Sequence, residues 1–173
     1  MPEGFDNVAW IARTRTEGDV AAWLALIPYA TRIGVSAVPD PEGDGLLFRL
    51  EPAPGNVGNV LLPALHGGVV AAFMETAATL DLMLSAREAT LPRIVDLSID
   101  YLRTARAVPT FARCLLLREG RRLANVQVTA WQESESVPVA TARLHFVLGE
   151  SGRVRHEQRQ GLKSVRGAPY RRQ

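Results

Sequence analysis

The sequence predicts a single α+β domain in which an antiparallel β-sheet wraps around one long central helix, with short helices ahead of it. Three observations carry that prediction. The run from Gly67 to Leu84 places apolar side chains in nearly every direction around a helix, as a helix buried on all sides does. From Ile94 to Thr104, Val95, Leu97, Ile99 and Tyr101 alternate with Asp96, Ser98 and Asp100, the two-residue period of a strand with one apolar face. Four strand-like segments follow the helix at hairpin spacing, the pattern of a meander packed on one layer. At 173 residues, 47% of them hydrophobic and 22% charged, the chain is long and apolar enough for one folded domain and unlike a disordered one.

From Asn7 to about Ala30, Trp10, Ile11, Val20, Trp23, Leu24, Leu26 and Ile27 recur at spacings of three and four around Gly18 and Asp19, which predicts two short amphipathic helices. A strand is expected near Gly34 to Val38. The turn-rich PDPEGDG follows, and then a strand in which Leu46, Phe48 and Leu50 alternate with Leu47, Arg49 and Glu51, so the pair reads as a hairpin. Residues 52–65, PAPGNVGNVLLPAL, hold four prolines or glycines in their first seven positions and predict a long irregular loop. After the helix and the strand at Ile94, Thr110 to Arg118 and Leu123 to Trp131 flank a tight turn at Glu119 and Gly120, and Pro138 to Leu148 closes the meander. The expected organisation is a helical segment over 1–32, the main domain over 33–149 and a basic tail over 150–173.

Several function classes find no support. One cysteine, Cys114, excludes a disulfide within the chain and a four-cysteine zinc site; in an alternating strand it reads as a small buried hydrophobe. His145 and His156 lack partners at metal spacing, so no metal or cofactor is expected. The opening MPEGFDNVAW lacks the basic start and apolar core of a secretion signal, which with the lone cysteine points to the cytoplasm. Glu75, Thr79 and Asp81 interrupt the apolar run, so a buried helix is expected there rather than a membrane span. The net charge is only +2, yet the last 21 residues hold seven of the twenty Lys and Arg; without interleaved aromatics that tail reads as solvated rather than as a nucleic-acid site. No GxSxG elbow, P-loop or GxGxxG fingerprint is present.

The chemistry concentrates at Glu75. A carboxylate in so apolar a helix needs compensation or a raised pKa; the first is met by an ion pair with an arginine such as Arg49 or Arg103, or by a surface-facing position, and the second suits a general base or nucleophile. Nine residues earlier stands His66, followed by Gly67 and Gly68. Glycines at a helix start leave backbone N–H groups unshielded, and such donors can hold an oxyanion.

The segments LHGGVVAAFMETAAT, VDLSIDYLRTA, REGRRLANVQV and VATARLHFVL together resemble the hotdog-fold thioesterases, in particular the 4-hydroxybenzoyl-CoA and phenylacetyl-CoA thioesterase-like group, over roughly residues 28–148. The resemblance implies hydrolysis of an acyl- or aryl-CoA thioester without a cofactor. Glu75 would attack the carbonyl or activate water, and the Gly67 and Gly68 amides would polarise the carbonyl. Thr79 would orient water or carboxylate, although a helical threonine can equally bond its own backbone. His66 is expected to serve the helix start rather than act as a base. The family's loop amide six residues before the histidine is Val60 here, with Asn59 one place earlier as a substitute, and the strand position that often carries Ser or Thr is Ile94. Arg103, Arg121 and Arg122 are candidates for the CoA phosphates or, equally, exposed solubilising residues. For the acyl pocket Leu61, Leu62, Phe73 and Met83 are candidate walls.

Gly67 and Glu75, eight residues apart, are separated by roughly 12 Å along one helix, whereas both must come within about 3 Å of one reacting centre. The site is therefore expected to combine Gly67 of one subunit with Glu75 of another, in the homodimer or dimer of dimers that the resemblance also implies. Competing expectations are a non-catalytic acyl-CoA or ligand-binding protein, a dehydratase acting on carrier-protein thioesters, whose proline-rich histidine loop is missing here, and an acyl-CoA-sensing regulator.

Overall fold

The computed structural model describes residues 20–25, 27–43, 45–59, 61–87 and 91–149. Two short helices open it, α1 (Val20–Ala25) and α2 (Pro28–Ile33). The first apolar cluster, with Trp10 and Ile11, lies outside the described residues, as does the basic tail. Pro28 starts α2 where its missing N–H costs nothing. Gly34 ends it at φ 78°, a left-handed conformation that glycine adopts without strain, and its N–H reaches the Thr31 carbonyl at 3.1 Å. Trp23, Ala30 and Ile33 seal one end of the core.

The main sheet has six strands: β1 (Val35–Pro39), β2 (Leu46–Leu50), β5 (Arg93–Tyr101), β6 (Thr110–Glu119), β7 (Leu123–Trp131) and β8 (Ala140–Val147). They run antiparallel in the order β1-β2-β6-β7-β8-β5, so β1 and β5 are its edges. Register follows the alternation the sequence displays except on β5 and β6, where it shifts; on β5 the shift between Ile94 and Asp96 turns Val95 outward, against the expectation from the sequence, and packs Ile94 on the core. Phe48, Leu50, Ala112, Val126, Val128, Ala130, Ala142, Leu144 and Phe146 point inward and are buried. Against them lies α3 (Gly67–Ser85), the predicted central helix. By length and composition it could cross a bilayer; here it is the core helix of the sheet. Ala77 and Ala78 on the helix and Ala112, Ala130 and Ala142 on the sheet are all buried, and their small side chains let the two layers approach closely.

Two expectations need correction. The segment 52–65 is not irregular: it holds a 3-10 turn at Pro54–Asn56 and a ribbon of β3 (Val57–Asn59) with β4 (Ala64–Leu65). The buried side chain of Asn56 makes this possible, donating to the carbonyls of Ile33 at 2.7 Å and Glu51 at 3.0 Å and so tying the loop to the domain. Nor is α3 buried on all sides. Gly68 is exposed, and Ala71, Ala72, Glu75 and Thr79, at three- and four-residue spacing from it, are partly exposed, so one stripe of the helix is open while the sheet covers the rest. An apolar stripe of alanines and glycine cannot be told from core by composition.

On the sheet face away from α3, Arg113 of β6 joins three acids. Its guanidinium bonds the buried Asp40 at 2.5 Å, Glu42 at 3.2 Å and Glu135, and sits 5.4 Å over the Trp131 ring. The Arg113 hydrogen bond holds the Asp40 carboxyl below its ordinary range, and Asp40 in turn raises the arginine.

Candidate active site

The site is built where the β3–β4 ribbon delivers the chain into α3. Gly58 packs directly on His66: a Cβ there would lie 2.7 Å from the His66 Cα, so only glycine fits. His66 N–H donates to the Asn56 carbonyl at 2.8 Å, and Leu65 N–H to Ala105 at 2.8 Å, which fixes the approach of the loop. His66 is the helix N-cap: its extended backbone (φ −65°, ψ 131°) turns the imidazole so that Nδ1 accepts the Gly68 N–H at 2.9 Å. A histidine in that role is the neutral tautomer with its proton on Nε2.

Gly67 and Gly68 are thereby distinguished. The Gly68 amide is engaged by the cap, whereas the Gly67 N–H has no partner among the described residues. Its own peptide carbonyl, that of His66, accepts two helix amides, from Val69 at 2.9 Å and Val70 at 3.1 Å, which polarises the Gly67 N–H further. Tyr101, at the end of edge strand β5, donates its hydroxyl to the Gly67 carbonyl at 2.8 Å. Sequence reasoning placed Tyr101 on the apolar face and missed this contact; a terminal tyrosine in a strand of aliphatics was the available signal.

Glu75 stands eight residues further along the open stripe, its carboxylate without a hydrogen-bond or ionic partner among the described residues. Neither candidate arginine pairs with it: Arg49 binds Glu51 at 2.9 Å and Arg103 donates to the Pro138 carbonyl at 2.7 Å. Thr79 lies one turn on, its Oγ1 donating to the Glu75 backbone carbonyl at 2.8 Å, a bond to its own helix. Asn59 folds its Oδ1 onto the N–H groups of Leu61 at 3.0 Å and Leu62 at 3.1 Å. That turn projects the two leucines outward, Leu61 being 94% exposed. Phe73 and Met83 belong to the hydrophobic core, while Ile94 packs against that core.

A second acid on this helix, Asp81, is desolvated. Burial pushes its carboxyl up to about 6, and the thiol of Cys114, partly buried on β6, is raised by its own burial and by the Asp81 charge. Asp81 was visible in the sequence only as one of three polar interruptions.

Arg103 stands at one end of the sheet and Arg121 and Arg122 at the other, all exposed. Tyr101 pairs with Ala140 and Ala130 across β8 and β7, while Arg93 lies level with Val147 and Leu123, so the two groups are about 26 Å apart along the strands. Arg103 instead lines a cleft of about 270 Å³ with Arg106, Gln132 and Glu133. His145 pairs through Nδ1 with Asp96 at 3.2 Å on the outer face; His156 lies outside the described residues.

A family model described as the thioesterase superfamily matches residues 62–139, the span from the loop tip through α3 to the residue before β8. The medium/long-chain acyl-CoA thioesterase YigI of Escherichia coli is 32% identical over 117 residues, covering 60% of this chain and 74% of YigI. The chain belongs to the thioesterase superfamily. As a member it is a thioester hydrolase, and its sheet around one helix is the hotdog fold. A crystal structure of a Chromobacterium violaceum protein superposes with a TM-score of 0.67 at 38% identity, over 83% of this chain and 98% of that one. A Haemophilus influenzae thioesterase superposes with a TM-score of 0.66 at 21% identity, over 74% of this chain and 87% of that one, a likeness of fold alone.

Proposed function

We propose that the protein hydrolyses an acyl-CoA thioester to the free acid and CoA at a site shared between two subunits. The observation that carries this reading is the placement of Glu75 on the one open stripe of an otherwise covered helix, with the free Gly67 N–H about 12 Å away on that same helix. Within one protomer the two cannot act on one carbonyl; a second copy can bring its Glu75 to this Gly67.

Strand β5 offers the seam for that assembly. It is nine residues long, pairs with β8 on one side only, and exposes Val95 and Tyr101, features that invite edge pairing. Antiparallel pairing of two β5 strands about a two-fold axis would also set the Arg103 end of one protomer beside the Arg121 and Arg122 end of the other. The three arginines, separated within a protomer, would then face a single CoA nucleotide. A dimer of dimers is compatible with this seam, and the one free cysteine fits a reducing cytoplasm.

In the reaction the thioester carbonyl oxygen rests on the Gly67 N–H, which takes up the negative charge that develops on attack. Glu75 of the second subunit either removes a proton from water, which attacks the carbonyl carbon, or attacks that carbon itself; collapse of the tetrahedral species expels CoA as the thiolate, which is protonated on release, and in the second route water then hydrolyses the acyl–Glu75 anhydride, freeing the acid and restoring the carboxylate. Gly68 contributes through the His66 cap that orders the turn, and Thr79 through the helix geometry around Glu75. The likeness to a medium/long-chain acyl-CoA thioesterase favours aliphatic acyl groups, and Leu61 and Leu62 are apolar surface available to them.

Free-thiol release across a panel of short, medium, long and aryl acyl-CoAs tests the substrate class. Glu75→Gln should lower kcat on the best substrate about 10²- to 10⁴-fold with the fold intact. Undiminished turnover in that variant would remove Glu75 from the mechanism, and binding of every acyl-CoA without thiol release would favour a non-catalytic ligand-binding protein.

A further inference from the structure

We infer that Tyr101 is a positioning residue for the reaction: its phenol ties the peptide that follows the Gly67 amide to the edge strand across which the subunits pair. The inference rests on the shared-site reading above and adds a residue to it. Tyr101 ends β5, is 54% exposed, and donates its hydroxyl to the Gly67 carbonyl at 2.8 Å. The ring also covers Gly67 from the side. A Cβ at position 67 would lie 3.4 Å from the ring Cζ and Oη and 3.5 Å from Cε1, ordinary van der Waals contact, so the phenol end of the ring stands directly beside this glycine.

The first turn of a helix is its loosest part, because its N–H groups have no partner within the helix. Here three contacts restrain it: the His66 imidazole on the Gly68 N–H, the Asn56 carbonyl on the His66 N–H, and the Tyr101 hydroxyl on the Gly67 carbonyl. The first two come from the loop before the helix. Only the third comes from the sheet, and from the strand whose free edge would receive the second copy. Pairing of β5 with its counterpart therefore fixes, through Tyr101, where the Gly67 N–H points relative to the Glu75 that the second copy supplies. A donor misplaced by a fraction of an ångström stabilises an oxyanion less in the transition state than it helps hold the ground-state carbonyl, so the effect belongs in kcat. Tyr101 touches no reacting atom in this account; it acts through Gly67.

The test is Tyr101→Phe in the full chain, which keeps the ring over Gly67 and deletes the donor. Turnover is followed by thiol release from decanoyl-CoA and benzoyl-CoA, using the faster of the two. We expect kcat to fall about five- to ten-fold with KM changed less than about two-fold, the loss of one neutral hydrogen bond. 4-Aminophenylalanine at position 101, which restores a donor on the same ring, should recover most of the lost kcat, a rescue that a merely structural role would not give. Unchanged kcat in Tyr101→Phe, or a loss that the amino analogue does not restore, overturns the inference. It is separable from the wider reading, because activity surviving Glu75→Gln would sink the shared carboxylate while saying nothing of Tyr101. In that event, or if neither substrate is turned over, the amide resonances of Gly67 and Gly68 decide. Tyr101→Phe should shift them and speed Gly68 exchange, and unperturbed resonances would contradict the tie.

Discussion

The His66 imidazole accepts the Gly68 N–H at 2.9 Å while the Gly67 N–H beside it has no partner among the described residues, so two adjacent glycine amides are differently engaged. Replacing His66 by Ala removes the cap and should cost about 1 kcal/mol of stability, measured by urea denaturation. His66→Asn offers a shorter side chain that also caps helices and should recover most of that stability. If histidine acted as a base in the reaction, the asparagine variant would be as inactive as a Glu75 variant; the cap role predicts that it keeps substantial turnover.

Gly58→Ala should be more damaging than its size suggests. The new methyl would meet the His66 Cα at 2.7 Å and its Cβ at 2.8 Å, backbone and near-backbone atoms that cannot swing away. The strain, about 1–3 kcal/mol, would be relieved by displacing the ribbon and the helix start with it. Thermal melting should show a lower Tm, and kcat should fall even at temperatures where the variant is folded. Wild-type turnover in a destabilised variant would mean that the ribbon does not set the position of Gly67.

Asp81 gives stability a distinct pH dependence. Its folded pKa, about 6, lies above the ordinary aspartate value of 3.8 because burial disfavours the charged form. A raised pKa contributes stability that is fully present below about pH 4 and is lost as pH rises through 6. Asp81→Asn should therefore stabilise the protein by about 1–2 kcal/mol at pH 8, allowing for the partial exposure of the side chain, and make little difference at pH 4. Melting curves of both proteins at pH 4, 6 and 8 check this, and equal Tm differences at all three would contradict it.

Much of this architecture was legible from the chain. The alternation in Leu46–Leu50 and Arg93–Tyr101 and the turn at Glu119 and Gly120 defined strands because one face of each packs on a core. The helix start was legible because His-Gly-Gly ahead of an apolar run is a local signal. Less visible were features made by residues distant in sequence. Asn56 orders a proline- and glycine-rich loop through carbonyls on two other segments, and Tyr101 reaches Gly67 across thirty-four positions. Glu75 stood out because His66, Gly67 and Gly68 precede it at the spacing that carries the resemblance, whereas Asp81 read only as a polar interruption; its desolvation follows from where the sheet packs. For the same reason the arginines near the hairpin and the strand end could be named together, although the sheet holds them at opposite ends.

The central claim is that one active site takes Gly67 from one subunit and Glu75 from another, and subunit mixing tests it most directly. Glu75→Gln removes the carboxylate. Gly67→Pro removes the amide proton at a first helical position where proline is well tolerated, although its ring must find room beside Tyr101. Each variant alone should be inactive. Unfolding and refolding an equimolar mixture gives about half hybrids, each with one intact site of two, so the account predicts recovery of about one quarter of wild-type activity. A mixture as inactive as its components, with hybrid dimers demonstrated by mass spectrometry, would contradict it.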